Sequence, residues 1–374
     1  MRIVINALSA RRGGSQTHIA SLLRYFGDSY ESEIFIFLPD YVQIPTHPRI
    51  KRMSAGWPTE NPVLRAFWER FVFRKILASL KPDVLFCPGG LISTIPPADC
   101  KTVTMSQNMI PFDLSQRKRY PPGWERLRNW LLESSMSRSM LKADLVIFIS
   151  DYAQKTIQKR LDNGIKNTIT IPHGLDEKFK VLNNTLSRPA WLPEKEYFLY
   201  VSAFDVYRNQ LEVVQGFALF KKAKTTPEIL ILVGHNDSSY GRQVRGEIKK
   251  LGLEKDVILT GNIPHGELPA VYGKAKVIIF SSECENCPNI LLESMGAGRP
   301  VICSDRPPMP EFGGEAVLYF NPSSPGDLSE KLAFLADHPA IMEELAIKAR
   351  ERALGYDWGK AARSTWNAIL KINP

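Results

Sequence analysis

Residues 280–293, with the sequence FSSECENCPNILLE, contain the pattern that is most informative about the fold of this chain. They follow a short apolar run at 277–280 (VIIF), whose β-branched residues predict a buried strand. The helix formers that begin at Asn289 end at Gly298, a typical helix stop. Because a second apolar run follows at 301–303 (VIC), the sequence predicts a parallel β-α-β unit, and sheets of that kind bind ligands beyond the strand ends.

Two carboxylates frame this turn, Glu285 in the loop and Glu293 in the predicted helix. A helix N-terminus suits a phosphate because its first N–H groups are unpaired, and Pro288 cannot donate. Acids beside a phosphate are explained if each accepts hydrogen bonds from neutral hydroxyls, one from a sugar ring and the other from a ribose. The pattern therefore predicts a nucleotide-sugar site, with amide donors at Cys287, Asn289 and Ile290.

At these residues the sequence resembles the retaining glycosyltransferases of the GT-B fold, most closely family 4, whose mark is E-x7-E followed by small residues and a strand. The resemblance continues to residue 311 and covers most of the chain more weakly. It implies an α/β protein of two Rossmann-like, doubly wound domains that face a central cleft, with a C-terminal helix crossing back to the N-terminal domain. It also implies an enzyme that moves a sugar from a nucleotide-diphosphate-sugar to a saccharide or lipid-linked acceptor hydroxyl, in cell-surface polysaccharide or lipopolysaccharide assembly.

At 374 residues the chain is long for one hydrophobic core and sufficient for two domains. We expect an N-terminal acceptor domain over residues 1–185, joined by a returning helix near 357–374. A C-terminal donor domain is expected over residues 190–356. The start reads as a strand rather than a signal peptide, no apolar run is long enough to span a membrane, and five scattered cysteines fit reduced thiols. These features favour a cytoplasmic protein.

In the first half, apolar runs alternate with helical spacing, which predicts a doubly wound N-terminal domain, and further apolar runs predict strands in the second half. The predicted strands are 2–6, 34–37, 84–86, 102–104 and 145–149 in the first half, and 197–201, 229–234 and 257–261 in the second.

The net charge of +9 is compatible with anionic lipid, nucleic acid or a phosphorylated substrate. Basic residues are spread along the chain without a nucleic-acid motif, so we expect no nucleic-acid partner. Two segments, 64–77 and 117–130, interleave basic and aromatic residues. Either they contact an anionic membrane or a lipid-linked acceptor, or they are amphipathic helices whose aromatic side chains enter the core.

Glycines at 13 and 14 separate the first strand from its helix and allow the backbone to approach a ligand closely. The family resemblance places Gly13 and Gly14 at the donor diphosphate, and a plain βα turn is the alternative. His18, which follows them, is expected to pack or lie on the helix surface rather than to catalyse. The pattern is not the G-x-G-x-x-G of dinucleotide-binding proteins.

Gln107 and Asn108 follow a predicted strand end and are expected to bind the acceptor, although Asn108 could equally cap a turn. Many family members carry a histidine near this position, and its absence argues against an imidazole base here. Two residues of a later turn, His173 and Asp176, are expected to be structural.

The loop after residues 197–201 contains Arg208 and Asn209. Family members place an arginine and a lysine in this loop to neutralise the leaving diphosphate, and here only Arg208 fits. A guanidinium can hold phosphate oxygens bidentately, and a solvated loop arginine is the alternative. The resemblance implies donor contacts at Asn209, at Asn262 and Ile263 beside the nucleobase, and around Gly261 and Asn286.

No D-x-D motif and no metal-ligand spacing occur, so we expect neither a metal nor a cofactor besides the nucleotide-sugar co-substrate. Arg208 and helix amides would then stabilise the leaving diphosphate. The resemblance implies catalysis by Glu285 together with Arg208, ribose binding by Glu293, and retention of the anomeric configuration.

Three alternatives are weighed against this function. Cys284 and Cys287 form a C-x-x-C pair typical of redox sites, but the surrounding E-x7-E frame disfavours that interpretation. A nucleotide-sugar epimerase with the same two-domain fold is the second alternative. A non-catalytic, membrane-associated scaffold is the third.

Overall fold

The computed structural model describes residues 1–11, 13–27, 30–57, 59–181 and 186–372. The chain forms two compact units. Unit 1 comprises Met1–Leu114, Pro121–Gly174 and Trp358–Pro374, and unit 2 comprises Ser115–Tyr120 and Leu175–Asp357. The division falls after Gly174, earlier than the expected end of the N-terminal domain at residue 185, and residues 182–185 lie outside the described residues.

Unit 1 contains a parallel sheet of seven strands in the order β3-β2-β1-β4-β5-β6-β7. The strands are β1 (Arg2–Asn6), β2 (Glu33–Phe37), β3 (Ile50–Met53), β4 (Val84–Cys87), β5 (Lys101–Ser106), β6 (Leu145–Phe148) and β7 (Thr168–Thr170). The central strands are buried because helices cover both faces of a doubly wound sheet, which explains their continuous apolar runs.

The helices of unit 1 are α1 (Gly14–Arg24), α2 (Pro62–Leu80), α4 (Trp124–Lys142), α5 (Asp151–Arg160) and α13 (Trp358–Leu370), while α3 (Leu114–Arg119) lies mostly in unit 2. The C-terminal helix α13 packs against α1, and the Trp366 indole N–H donates to the Leu22 carbonyl at 2.9 Å. The prediction that the C-terminal helix returns to the N-terminal domain is confirmed.

Unit 2 contains a parallel sheet of six strands in the order β10-β9-β8-β11-β12-β13. The strands are β8 (Tyr197–Val201), β9 (Ile229–Val233), β10 (Val257–Gly261), β11 (Val277–Phe280), β12 (Val301–Ser304) and β13 (Leu318–Phe320). The helices are α6 (Gln210–Ala223), α7 (Ser239–Lys250), α8 (Leu268–Gly273), α9 (Asn289–Gly296), α10 (Met309–Gly313), α11 (Pro325–Asp337) and α12 (Pro339–Leu354).

All the predicted strands are present, and the strand, loop and helix predicted around residues 280–293 are β11, its loop and α9. Gly298 has φ +65°, a left-handed conformation that favours glycine, and its N–H donates to the Met295 carbonyl at 3.1 Å, so it ends the helix as predicted.

In each sheet the first strand of the unit lies in the interior, and the strand order reverses beside it. β1 pairs with β2 on one side and β4 on the other, and β8 pairs with β9 and β11 in the same way. Such a reversal leaves a crevice at the carboxyl ends of the two strands where the following loops diverge, and ligands of doubly wound proteins bind there.

Candidate active site

The reversal point of unit 2 brings together the two residues predicted to be catalytic. Arg208 comes from the loop after β8, and Glu285 comes from the loop after β11. An Arg208 Nη1 atom donates to Glu285 Oε1, and the two side chains are only 15% and 13% exposed. The pair is therefore a sheltered ion pair, and the alternative of a solvated loop arginine is excluded.

Backbone contacts fix the position of Arg208. Its carbonyl accepts hydrogen bonds from the Tyr200 hydroxyl at 2.6 Å and the Ser281 hydroxyl at 2.7 Å. One of these donors lies on β8 and the other directly follows β11, so the two loops are tied together at the base of the ion pair. The guanidinium lies 4.7 Å from the centre of the Tyr207 ring, within the range of a cation–π contact.

The charges of the pair depend on each other because the site is poorly solvated. Burial raises the pKa of Glu285, and Arg208 offsets only part of that change. Burial acts to lower the pKa of Arg208, but the adjacent Glu285 carboxylate raises it above its usual value. Arg208 consequently remains a cation, and the carboxylate depends on it for stabilisation.

Glu293 lies in α9, in a different electrostatic environment. Burial raises its pKa to about 8, with Lys178 opposing the shift and Asp176 adding to it. Lys178 Nζ is 3.8 Å from an Asp176 carboxylate oxygen, so the two charges that act on Glu293 also pair with each other. Lys178 was not predicted as a site residue, although it lies two residues after Asp176.

The predicted amide donors lie where β11 turns into α9. Pro288 directly precedes α9, whose first residues are Asn289 and Ile290. The Asn289 N–H donates to the Cys287 carbonyl at 2.9 Å, so this amide closes the turn. Asn286 is buried beside these residues.

The side chain of Asn209 was predicted to contact the donor, but in the structure it is bonded to other parts of unit 2. It is fully buried in a left-handed conformation with φ +57°. Its amide group donates to the Ser281 carbonyl at 2.9 Å and accepts from Arg119 at 2.9 Å. Asn209 therefore connects segments of unit 2 and does not project into open space.

Two further predicted donor contacts, Asn262 and Ile263, follow the edge strand β10. Asn262 is exposed and Ile263 is half-buried, and Gly261 before them has φ +68°. The strand register shifts near Gly261, where the chain turns away from the sheet.

The remaining predicted site residues belong to unit 1. Gly13 has φ +58° directly before α1, and no atom lies within 4 Å of the position that a side chain would occupy. Gly14 is the first residue of α1. Gln107 lies 3.4 Å from a His18 ring nitrogen, and the Asn108 side chain accepts from the Ile110 N–H at 3.1 Å. Asn108 thus makes the turn-capping contact considered as its alternative role.

His18 is a buried packing residue. Its ring stacks on His173 with the centroids 5.2 Å apart, and Trp358 lies 4.9 Å from His173. Burial, with a smaller contribution from His173, lowers the pKa of His18 well below its usual value. The two rings line a small cavity and support the packing role predicted for both histidines.

A second polar cluster, which was not predicted from the sequence, is centred on Glu283, two residues before Glu285. Glu283 accepts from Ser323 at 2.6 Å, from Gln116 at 3.0 Å and from Arg119. Arg119 lies in the segment 117–130, for which a partner contact and an amphipathic helix were the two alternatives, and its guanidinium binds Glu283 and Asn209. In the sequence, the only signal for this cluster was that Glu283 is a second acid in the loop, and it lies outside the E-x7-E pattern.

All five cysteines, including Cys284 and Cys287, are buried and none of them forms a disulfide. Within the described residues, no group of three or more His, Cys, Asp or Glu side chains could hold a metal ion. None of the described helices combines the length and apolarity needed to cross a membrane.

Two family models cover nearly all of the chain. Residues 12–179 match the family described as Glycosyltransferase Family 4, and residues 185–352 match Glycosyl transferases group 1. The O-antigen chain mannosyltransferase B of Escherichia coli is 24% identical over 63% of this chain and 63% of its own length. A Campylobacter jejuni protein is 22% identical over 96% of both chains; its name is N-acetylgalactosamine-N,N'-diacetylbacillosaminyl-diphospho-undecaprenol 4-alpha-N-acetylgalactosaminyltransferase.

Solved structures share the fold over the whole chain. Sucrose-phosphate synthase from Thermosynechococcus elongatus superposes with a TM-score of 0.78 at 19% identity, covering 100% of this chain and 99% of its own. Anabaena HepE in complex with UDP-glucose gives 0.71 at 13% identity, covering 99% and 100%. The chain spans only 36% to 63% of the length of the E. coli mannosyltransferases that it matches. With both family models, the E-x7-E frame and two doubly wound sheets in agreement, the chain belongs to glycosyltransferase family 4, of the GT-B fold.

Proposed function

We propose that this protein transfers a sugar from a nucleotide-diphosphate-sugar to a hydroxyl of a saccharide or lipid-linked acceptor, in cell-surface polysaccharide assembly. The sheltered Arg208–Glu285 pair at the reversal point of unit 2 carries the proposal. The names of the E. coli and C. jejuni relatives, one an O-antigen mannosyltransferase and the other acting on an undecaprenol-linked saccharide, support the acceptor class.

In the proposed reaction Arg208 stabilises the leaving diphosphate without a metal ion. One guanidinium nitrogen is used by Glu285 and lies 3.4 Å from the Ser282 hydroxyl. A guanidinium has five N–H donors, so the remaining ones could bind phosphate oxygens in the same plane. The shelter of the site strengthens this interaction, because charge stabilisation is larger where water is excluded.

Glu285 would orient the donor sugar through its hydroxyls and stabilise positive charge at the anomeric carbon. The acceptor hydroxyl attacks that carbon on the face from which the diphosphate leaves. The new glycosidic bond forms as the bond from the anomeric carbon to the diphosphate oxygen breaks, and the acceptor proton passes to the departing diphosphate. The products are a glycoside of retained configuration and a nucleoside diphosphate.

Glu293 would bind the ribose hydroxyls of the donor. A pKa of about 8 leaves much of this group protonated at neutral pH in the free protein. Ribose hydroxyls donate best to the carboxylate, so donor binding is expected to release a proton.

A thermal-shift screen with UDP-, GDP- and dTDP-linked hexoses tests this function. A donor at a hundredfold excess over its dissociation constant would add about 2.7 kcal/mol to the stability of the protein. NMR of the transferred sugar should show a retained anomeric configuration, and EDTA should leave the rate unchanged. A product of inverted configuration, loss of the rate in EDTA, or no response to any donor would each contradict the corresponding part of the proposal.

We also propose that unit 1 contacts anionic membranes through α2 and a nearby tryptophan. Trp68 and Phe73 enter the core, as the packing alternative predicted, but Phe67 and Phe71 are 52% and 55% exposed. Their ring centroids are 4.7 Å apart, and Trp57 lies 6.4 Å from Phe67. These rings therefore form a continuous aromatic patch on the surface.

Basic residues surround this aromatic patch. Arg70, Arg74 and Lys75 are exposed on α2, whose single acid, Glu69, is buried and accepts from Asn6 at 3.0 Å. Aromatic rings favour the interfacial region of a bilayer, and each lysine or arginine near an anionic surface contributes about 1 kcal/mol. This combination fits an anionic bilayer, where a lipid-linked acceptor would reside.

Sedimentation with phosphatidylglycerol and phosphatidylcholine vesicles tests the contact. We expect binding to the anionic vesicles only, weakened by high salt and by the double variant Phe67→Ser/Phe71→Ser. Phe334→Ser, which removes an exposed ring from α11, is the matched control and should sediment like the wild type. Equal binding to both vesicles, or an unaffected double variant, would argue against the proposal.

A further inference from the structure

Residues 115–120 form a short strap that belongs to unit 2 although the chain on both sides of it belongs to unit 1. Its contacts with unit 2 involve the two loops that supply Arg208 and Glu285. The Tyr120 hydroxyl donates to Asp205 at 3.2 Å, and the Gln116 amide donates to Glu283 at 3.0 Å.

Arg119 is the centre of the strap. One nitrogen of its guanidinium donates to Glu283, and the other donates to the Asn209 side chain at 2.9 Å. Glu283 lies two residues before Glu285, and Asn209 directly follows Arg208. The Arg119 guanidinium therefore links the two chain segments that carry Arg208 and Glu285.

The surrounding charges explain why the cation is needed. Arg119 also lies 3.9 Å from Glu212 in the first turn of α6, and Glu283 is only 9% exposed. Burial raises the pKa of Glu212, and the charge of Glu283 adds to that rise while Arg119 opposes it. Without Arg119, two poorly solvated acids would repel each other across the gap between the two loops.

We propose that Arg119 is a positioning residue of this enzyme. Acting through Glu283 and Asn209, it holds the loop of Glu285 and the loop of Arg208 at the separation that turnover requires. The expected effect on turnover rests on the proposed function, whereas the expected effect on the position of the two loops does not.

The catalytic test compares Arg119→Gln, Arg119→Lys, Glu283→Gln and the Arg119→Gln/Glu283→Gln double variant, with GDP-mannose and UDP-glucose as donors. Loss of positioning should lower kcat about 10- to 100-fold, because misplacement of a group by about 1 Å costs that much. The donor KM should change less than about threefold, since Arg119 does not touch the donor. Lysine should rescue part of kcat, because it keeps the charge but lacks the fork that also reaches Asn209.

The double variant shows whether Arg119 acts through Glu283. If it does, the double variant should be no slower than about the slower single variant. Lys224→Gln, which removes a surface ion pair with Asp337 in the same unit, is the control and should keep wild-type kinetics. Unchanged kcat in Arg119→Gln, a raised KM at constant kcat, or multiplied losses in the double variant would overturn the proposal.

A measurement without any donor separates this inference from the proposed function. A double-mutant cycle of Arg208→Gln and Glu285→Gln gives the interaction energy between the two side chains, measured from unfolding free energies. The same cycle is then repeated in the Arg119→Gln background. The proposal expects the coupling to shrink when Arg119 is absent, and an undiminished coupling would overturn it. If no nucleotide-sugar is turned over, the proposed function fails, and this cycle still decides the role of the strap.

Discussion

The reversal points of the two sheets have the same topology and contrasting chemistry. In unit 2, the loops after β8 and β11 meet in the ion pair of Arg208 with Glu285. In unit 1, the helix that follows β1 carries His18 instead, whose buried ring stacks on His173 and lies 6.0 Å from Trp358. Strand order therefore determines where a site can form, while the side chains of the loops determine whether that place carries charge chemistry.

The largest effect on stability is expected from the buried ring of Trp358 in unit 1. Trp358→Ala removes a buried ring and should destabilise the protein by about 3–5 kcal/mol, the usual cost of a large-to-small core substitution. Urea unfolding measures it, with the exposed Trp130→Ala as control, which should change stability by less than about 0.5 kcal/mol. A loss similar to that of the control would mean that packing does not hold this region together.

Glu285→Gln tests the charged reversal point of unit 2. The amide keeps the shape but removes the negative charge, so kcat for sugar transfer should fall about 100- to 1,000-fold while the fold is retained. Steady-state kinetics and circular dichroism measure the two properties. Glu254→Gln, an exposed acid of the same unit, should be indistinguishable from the wild type. Near-normal turnover by Glu285→Gln would show that the negative charge of Glu285 is not needed for catalysis.

Glu293→Gln should change how stability depends on pH. Burial raises the pKa of Glu293 to about 8, so between its usual value and about 8 the folded protein binds a proton that the unfolded chain releases. Stability therefore falls as pH rises through this window. The glutamine variant should lose that decline and gain about 1–3 kcal/mol over the wild type near pH 8, measured by urea unfolding. Parallel pH profiles would show that Glu293 titrates normally.

His18→Gln should give a smaller effect of opposite sign in unit 1. Burial and the neighbouring His173 lower the pKa of His18, so below its usual pKa the unfolded chain binds a proton that the folded protein excludes. Stability therefore falls as pH decreases, and the variant should flatten this acid limb. Unfolding midpoints measured across the acid range test it. An unchanged acid limb would indicate that His18 accepts its proton in the folded state.

Much of the fold was predictable because buried parallel strands need continuous apolar runs. The three strands not predicted, β3, β7 and β13, are all at sheet edges. An edge strand pairs on one side only and tolerates polar residues, as in the Ile50–Met53 sequence IKRM, so hydrophobicity does not reveal it.

Local sequence was enough to predict the β11–α9 unit, with Glu285 in its loop and Glu293 in its helix, and the family resemblance added Arg208. These features depend on local patterns within a few residues of each other. Three features became visible only in the folded chain: Asn209 is buried, Phe67 is exposed while Trp68 is buried, and Arg119 binds Glu283. The physical reason is that burial and ion pairing depend on which distant segments meet, and residues 164 positions apart leave no periodic signal that connects them.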